Sequence, residues 1–517
     1  MPVVQQGAIN TTALIVPDLY VQIVPPQTLL LNGVPTDVLG VVGTASWGPV
    51  GEPTIVGGMG GYAASFGAVM PRKYDMGTQV ATAVQQGAGN FVCVRVSDGT
   101  DVAATLAVLG AIEFTAMYTG SLGSQITLTF SAGSAASSWR LTVALPGLNP
   151  EIYDNIKGVG AQFWLNLANA VNKGNGALRG PSQLVAATVL GAATTPLAGV
   201  FLFSSGTPGS DGANGVTAAA LVGSDSLPRL GMYALRSQGC SIALLADADD
   251  PAQWGVQIAF GLAESVYMIL TGPAGDNIAN AVTMKAEAGV DSYAAKLMFG
   301  DWVYWSDQAN ALIRLVSPQG FVAGRLANLS PEQSPLNKPL YGVIGTQKSG
   351  QPGGGTATTY ATADLAALLS AGIDVIANPQ PGGAYWGVRG GHNSSSDAAT
   401  NGDNYTRLTN YIARTLAAGM GAYVGQLVNV SLFQNIRSTL LAFLNGLLSQ
   451  GMLGRTGSAV PFAVVCDISN NPASRTALGY VQADVQVQYQ AINEKFIVNV
   501  QGGQTVQVSV QTVPSNI

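Results

Sequence analysis

Val38-Leu39-Gly40-Val41-Val42-Gly43-Thr44-Ala45-Ser46-Trp47-Gly48-Pro49 decides how the chain is read. The run up to Thr44 is almost continuously apolar, the pattern of a strand covered on both faces. Downstream, Thr54-Ile55-Val56 reads as another strand, and Thr78 to Gln86 as a helix that Gly87 and Gly89 stop. Phe91-Val92-Cys93-Val94-Arg95-Val96 is again a strand of a covered sheet. Residues 36–96 thus read as the first part of an α/β core. Upstream, Tyr20-Val21-Gln22-Ile23-Val24 stands between Pro17 and Pro25-Pro26, and proline on both sides confines it to an edge or an isolated strand. Residues 1–35 read as an arm seeking a sheet, with no hairpin partner beside the strand.

The texture changes at about Ser97. Over 97–228, Thr/Val-rich runs (Ile126 to Phe130, Leu141 to Ala144, Ala186 to Leu190, Val200 to Phe203) alternate with Gly/Ser/Asn loops, and one helix fits within Glu151 to Asn172. This is the pattern of an inserted, mostly β domain. An α/β rhythm returns over 229–399. Strands are read at Ser241 to Ala246, Tyr267 to Leu270 and Ile373 to Ile376, and helices from Pro251, Asp276 and Ala363. Leu312 to Val316 and Gly320-Phe321-Val322 read as flanking a turn at Pro318.

Residues 400–500 form a C-terminal domain. Asp403 to Leu416 and Ser431 to Leu448 are amphipathic helices, Phe462 to Cys466 reads as a buried strand, and Val481 to Tyr489 alternates apolar and polar. Val506-Gln507-Val508-Ser509-Val510, past Gly502-Gly503, is a second detachable strand in a C-terminal arm, 501–517. The fold class is α+β to α/β and multidomain: an inner core from N- and C-terminal parts, an inserted outer domain, and extended terminal β arms.

Only 10% of the 517 residues are charged, against ~25% in a typical soluble domain. With 22 Lys and Arg against 28 Asp and Glu, and no basic cluster, the composition argues against a nucleic-acid partner, and none is expected. A charge-poor surface suits burial against neighbours, as in a self-assembling structural protein; a secreted β-rich protein is the other class with this composition. The first basic residue is Arg72, so no signal-peptide n-region is read. Cys93, Cys240 and Cys466 are scattered and suit small buried hydrophobes in a reducing compartment. Pro181 to Ser210 and Trp254 to Ala274 are too interrupted to span a membrane, and no membrane insertion is expected.

Chemistry has little to work with. His392 is the one histidine, and a Gly-rich surface hydrolase would have to centre on it; between Gly390-Gly391 and Asn393-Ser394 it reads as a solvated loop residue. Gly58-Met59-Gly60-Gly61-Tyr62-Ala63 formally fits G-x-G-x-x-A but reads as a Gly-rich turn, and no phosphate-binding loop with a lysine is present. Asp247-Ala248-Asp249-Asp250 ends a strand, where α/β sheets place sites, but Asp250-Pro251 is a cap pair opening a helix. No metal or cofactor is expected, and no catalysis.

What remains is structural, and it resembles a family. Gly40 to Pro49 is similar to the N-terminal signature of contractile tail sheath proteins of myophages, a family shared with contractile bacteriocin and type VI secretion sheaths. Ser65-Phe66-Gly67, the Arg95-Val96 pair, and Gly120-Ser121-Leu122-Gly123-Ser124-Gln125-Ile126 (Ser124 for the usual Asn) resemble the motifs that follow in order. So do Pro318-Gln319-Gly320-Phe321-Val322-Ala323-Gly324, in altered form, and Gly451-Met452-Leu453-Gly454 after the long helix. Phe462 to Asp467 with Asn470-Asn471, and Gly479 to Phe496 as a closing strand pair, complete the series. The resemblance implies a sheath subunit in stacked hexameric rings around a tail tube, assembled in the host cytoplasm and carried in the virion. The partners implied are further copies, the tail tube protein, and baseplate and neck or tail terminator proteins. The terminal strands would join sheets of neighbouring subunits. The C-terminal domain would face the tube, with Arg437 and Arg455 as candidate contacts.

Overall fold

The computed structural model describes residues 31–176, 179–351, 358–454 and 459–500 in full, and the backbone of 3–6 and 20–23. Two short strands open the chain, β1 (Val3–Gln6) and β2 (Tyr20–Ile23), paired in parallel with Val3 opposite Tyr20. Of the two readings, edge or isolated strand, β2 is the first: an edge strand of a two-stranded sheet, with no hairpin partner beside it. A parallel pair needs a long connection, so its partner is invisible to a search for an adjacent hairpin. Val24 lies outside the described residues.

The first core segment carries β3 (Val38–Gly43), β4 (Pro53–Val56), α1 (Met59–Phe66), α2 (Met76–Gln85) and β5 (Asn90–Arg95). Helix α1 occupies the segment read as a Gly-rich turn. Burial of Tyr62 and Phe66, one turn apart, overrides the weak helix propensity of its glycines.

The next segment holds β6 (Ala103–Val108), β7 (Ile112–Thr119), β8 (Thr127–Ala132), β9 (Trp139–Ala144), β10 (Glu151–Ile156), α3 (Ala161–Lys173), β11 (Val185–Val189), β12 (Gly199–Leu202) and α4 (Ala218–Val222). Its strands form two sheets, β11-β7-β6 and β10-β9-β8-β12. Phe163, Trp164, Leu167 and Val171 of α3 share one core with both. Trp47, just past β3, is buried in that core, edge-on to Tyr118 at 5.4 Å. The end of β5 fixes the base. Buried Arg95 donates to Gly48 O (2.7 Å) and Thr119 O (2.6 Å), and its other terminal nitrogen to Asp211 O (3.1 Å), so one guanidinium pins both stems.

The chain then returns through β13 (Ile242–Leu245), α5 (Trp254–Glu264), β14 (Tyr267–Thr271), α6 (Ile278–Glu287), β15 (Ala295–Met298), β16 (Val303–Asp307), β17 (Leu312–Val316), α7 (Gln319–Asn328), β18 (Val343–Thr346), α8 (Thr362–Ser370), β19 (Ile373–Asp374), β20 (Ile376–Ala377) and β21 (Gly387–Val388). Seven strands make the central sheet, in the order β19-β15-β14-β13-β3-β5-β4, parallel except for β4. Successive side chains face opposite ways. Leu39, Val41, Phe91, Cys93, Ile242 and Leu244 enter one core with α1, α2 and α7; Val42, Val92, Val94 and Leu245 enter the other with Trp254, Phe260 and Leu368.

Gly320-Phe321-Val322 is helical, contrary to the strand–turn–strand reading around Pro318. Gly320 and Gly324, one turn apart, let α7 lie directly on α2: a methyl at either would strike Thr82 or the backbone of Ala83. The strand read across Ile373 to Ile376 is split, since Ile376 leaves the central sheet to pair with Val388.

The C-terminal region consists of α9 (Asp403–Gly419), α10 (Val430–Ser449), β22 (Phe462–Val465), α11 (Ala473–Thr476) and β23 (Asp484–Val487). Leu432, Ile436, Leu440, Phe443 and Leu447 of α10 pack with Leu408 and Ile412 of α9. β22 pairs antiparallel with β23. Only Val464 of β22 is buried, so it is not the covered strand expected; its sheet has two strands and one packed face. The closing pair read within Gly479 to Phe496 is β22 with β23, and residues 488–500 hold no strand.

Candidate functional site

An α/β sheet offers a ligand the crevice at the carboxyl ends of its strands, where the strand order reverses. Here that point lies between β3 and β13, and side chains of the chain itself seal it. Buried Asp247 accepts from Gln79 Nε2 (2.9 Å) and Tyr74 N (3.3 Å), and its own N–H donates to Gln319 Oε1 (3.0 Å). Gln319 Nε2 donates to Ile269 O (2.7 Å), and Gly320 N donates to Gln79 Oε1 (2.9 Å). Burial raises the Asp247 carboxyl above its ordinary value despite these donors. Asp249 pairs with Lys73 (2.8 Å), and Asp250 caps the turn before α5 by accepting from Ala252 N (3.0 Å). The carboxylate cluster is structural, in keeping with its reading as a cap.

His392 is placed equally plainly. Its Nε2 lies 2.6 Å from Glu494 Oε1, so it is paired rather than simply solvated. Its carbonyl accepts from Lys296 Nζ (2.8 Å). Cys93, Cys240 and Cys466 are free and buried, and burial pushes the Cys240 thiol up to about 12. Among the described residues no three His, Cys, Asp or Glu side chains are grouped to hold a metal, and no helix is long and apolar enough to cross a membrane.

The surface that remains incomplete is C-terminal. Among the described residues β22 and β23 pair with each other alone, leaving both outer edges of their sheet open. A groove of about 620 Å³ runs beside β23, lined by Val485, Val487 and Tyr489 and, on α9, Tyr405, Ile412 and Leu416. Val424, Leu427, Ile468, Leu478, Phe496, Ile497 and Val500 are each at least 75% exposed.

Both ends of the fully described body, at Leu31 to Val34 and at Tyr489-Gln490, are held on α9 or its core. Leu31 packs against the core of this region, and Val34 N donates to Thr415 Oγ1 (3.3 Å). At the other end Asn404 Nδ2 donates to Gln490 O (3.0 Å), and the Thr409 and Tyr489 hydroxyls are 3.1 Å apart. Helix α9 is in turn locked to the core by a buried charge cluster. Lys296 Nζ lies 2.6 Å from Asp374 and 2.9 Å from Asp403, and Tyr267 donates its hydroxyl hydrogen to Asp403. Burial disfavours each charge, yet mutual attraction prevails: Asp374 is held below the usual carboxylate range and Lys296 above its own. Arg407 donates to Leu329 O (2.8 Å) and Ser330 O (3.0 Å), and burial lowers it to about 10. No local pattern marks this junction, because its members lie on four separate elements.

Of the residues singled out from sequence, Tyr20, Val21, Gln22 and Ile23 form β2, and Arg437 is exposed on α10 near Asp467. Arg455 and Val506, Gln507, Val508, Ser509 and Val510 lie outside the described residues, so the structure brings none of these together.

No family model matches the sequence, and no curated protein does. Solved structures do. A sheath tail protein from Desulfitobacterium hafniense superposes with a TM-score of 0.57 at 16% identity, over 87% of this chain and 95% of that one. A sheath tail protein from Listeria innocua gives 0.59 at 15%, over 85% and 90%. The contracted sheath of an extracellular contractile injection system gives 0.54 at 12%, over 95% and 98%. The fold of this chain, over most of its length, is that of the tail sheath proteins.

Proposed function

We propose that the chain is the structural subunit of a contractile tail sheath, polymerising as stacked hexameric rings around a tail tube and contracting to drive the tube through the host envelope. The observation that carries this is the unfinished C-terminal surface at the end of a tail sheath fold. An isolated two-stranded sheet is marginal in water, and its open edges present unpaired donors and acceptors. Strands Tyr20 to Val24 and Val506 to Val510 from neighbouring copies complete it by adding to its edges. The rigid core then moves as a body while the arms keep neighbours joined, and contraction is a shift between two packings, with no nucleotide and no catalyst.

In this reading residues 97–228 project outward and 400–500 face the tube, with Arg437 and Arg455 toward it. Baseplate and terminator proteins cap the polymer. The same geometry serves a phage tail, a bacteriocin or a secretion apparatus; capsid genes beside the coding sequence would mark the phage. Limited proteolysis of assembled particles tests the orientation: cleavage begins within 97–228, and first cleavage within 400–500 contradicts it. His392→Ala assembles normally; loss of a measured catalytic activity in that variant would establish the hydrolase instead.

A further inference from the structure

Five asparagines of the chain precede a glycine: Asn32, Asn175, Asn214, Asn401 and Asn445. In such a pair the glycine amide nitrogen can reach the carboxamide carbon of the asparagine, because the glycine carries no side chain to block it. The fold restrains four of the five. Asn445-Gly446 lies inside α10, where the main-chain amides are taken up by the helix. Gly215 N donates to Asp98 Oδ2 (2.8 Å). The Asn175 carboxamide donates to Asp154 O (2.6 Å), and its main-chain N–H to Arg179 O (2.7 Å). Asn401-Gly402 is held from both sides: Asn393 N donates to Asn401 O (2.8 Å), and Asp403 N to Gly391 O (3.1 Å). Asn32-Gly33 differs. Both residues are exposed, lie outside any helix or strand, and make no hydrogen bond among the described residues. A methyl at Gly33 would strike the Tyr411 hydroxyl, so the packing of α9 favours a glycine at this position.

We propose that Asn32 is a site of spontaneous deamidation, at which the Gly33 nitrogen attacks the side-chain carbon and the chain acquires aspartate or isoaspartate. The reaction needs only water as co-reactant. The Gly33 amide loses its proton to solvent, the new N–Cγ bond closes a succinimide, and the Cγ–Nδ2 bond breaks with release of ammonia. Water then opens the ring at either carbonyl. One opening restores the ordinary main chain with an aspartate; the other places the side-chain methylene in the main chain. Position 32 stands between two anchors, since Leu31 packs against the C-terminal core and Val34 N donates to Thr415 Oγ1 (3.3 Å). The isoaspartyl form lengthens the bridge between them by one carbon and adds a negative charge, so the Val34 tie loosens. The inference is independent of the sheath reading.

Peptide mapping by mass spectrometry on the full-length chain held at pH 8 tests this, each product being recognised by the mass gained when a side-chain amide becomes a carboxyl. Asn32 should convert at least about tenfold faster than Asn445, since a helical pair reacts only after local opening and ~1.4 kcal/mol of opening cost already gives tenfold. It should also lead Asn175, Asn214 and Asn401. In urea the five rates should converge, because each asparagine then meets the same neighbour, an unrestrained glycine. Asn32→Gln should remove the early product, because its longer side chain must close a larger ring, and should leave the other four sites unchanged. In the isoaspartyl form, separated by chromatography, hydrogen exchange at the Val34 amide should be faster than in the parent chain. First conversion at any of the other four asparagines overturns the assignment, and a ranking that survives in urea overturns the role given to the fold. An unchanged Val34 amide overturns the loosening of its tie.

Discussion

The central sheet and the C-terminal sheet are built from the same kinds of residue and finish differently. The seven-stranded sheet is covered on both faces, and its ligand crevice is filled by Gln79, Asp247 and Gln319. The two-stranded sheet has one packed face and two open edges, beside exposed Val424, Leu427, Ile468 and Phe496. The first region is complete within one chain. The second leaves apolar side chains and, among the described residues, the outer edges of its strands uncovered. The buried ammonium of Lys296 joins the two regions, because it touches β19 and α9 from β15.

The largest way to break this contrast is at that joint. Lys296→Met leaves Asp374 and Asp403 buried without their cation, and should cost about 3–5 kcal/mol in urea unfolding. A loss below about 1 kcal/mol would show that the cluster does not hold α9 to the core. Phe91→Ala, in the sealed region, should cost a similar ~3–5 kcal/mol. Leu427→Ser, in the open region, should change the stability of the unassembled chain by less than ~0.5 kcal/mol while reducing polymer yield. Equal costs for these two would erase the distinction between the regions.

A subtler test lies at the cap of α2. Asp75 accepts from Thr78 N (2.8 Å) and Thr78 Oγ1 (2.7 Å), yet burial outweighs these donors and raises its carboxyl to about 7. The folded state then holds a proton that the unfolded chain releases near pH 4. Stability should therefore fall as pH rises from about 4 to about 7. Asp75→Asn keeps a capping oxygen and removes the titration, so the difference between variant and native unfolding midpoints should grow in the variant's favour across that window. A difference independent of pH would contradict it. The smallest effect belongs to the exposed arginines. Arg437→Glu with Arg455→Glu should weaken binding to the tube measurably, by up to ~1 kcal/mol per site, and more than it weakens self-association. Unaltered tube binding would remove these two residues from the interface.

The apolar strands were legible because burial on both faces leaves no polar alternation: Val38 to Gly43, Phe91 to Arg95 and Ile242 to Leu245 could hardly be anything else. β15 was not legible. Ala295-Lys296-Leu297-Met298 looks partly solvated until Asp374 and Asp403, 78 and 107 residues further on, cancel its charge. Helix α7 was hidden by a proline that suggested a turn and by two glycines whose reason is the approach of α2. At the N-terminal end, prolines bracket the segment that forms β2, but β1 carries no such mark. The contact of His392 with Glu494 spans 102 residues and has no local signal at all.

The central claim is that the folded body is complete and the terminal strands carry polymerisation. Electron microscopy of three purified chains tests it most directly: full length, lacking residues 1–26, and lacking 502–517. The full-length chain should give hollow striated cylinders, and each truncated chain should give dispersed monomers with near-native circular dichroism. A Val508→Pro chain should behave like the second truncation, because proline removes a ladder donor. Cylinders from either truncated chain would contradict the account, as would compact monomers from the full-length chain under every assembly condition.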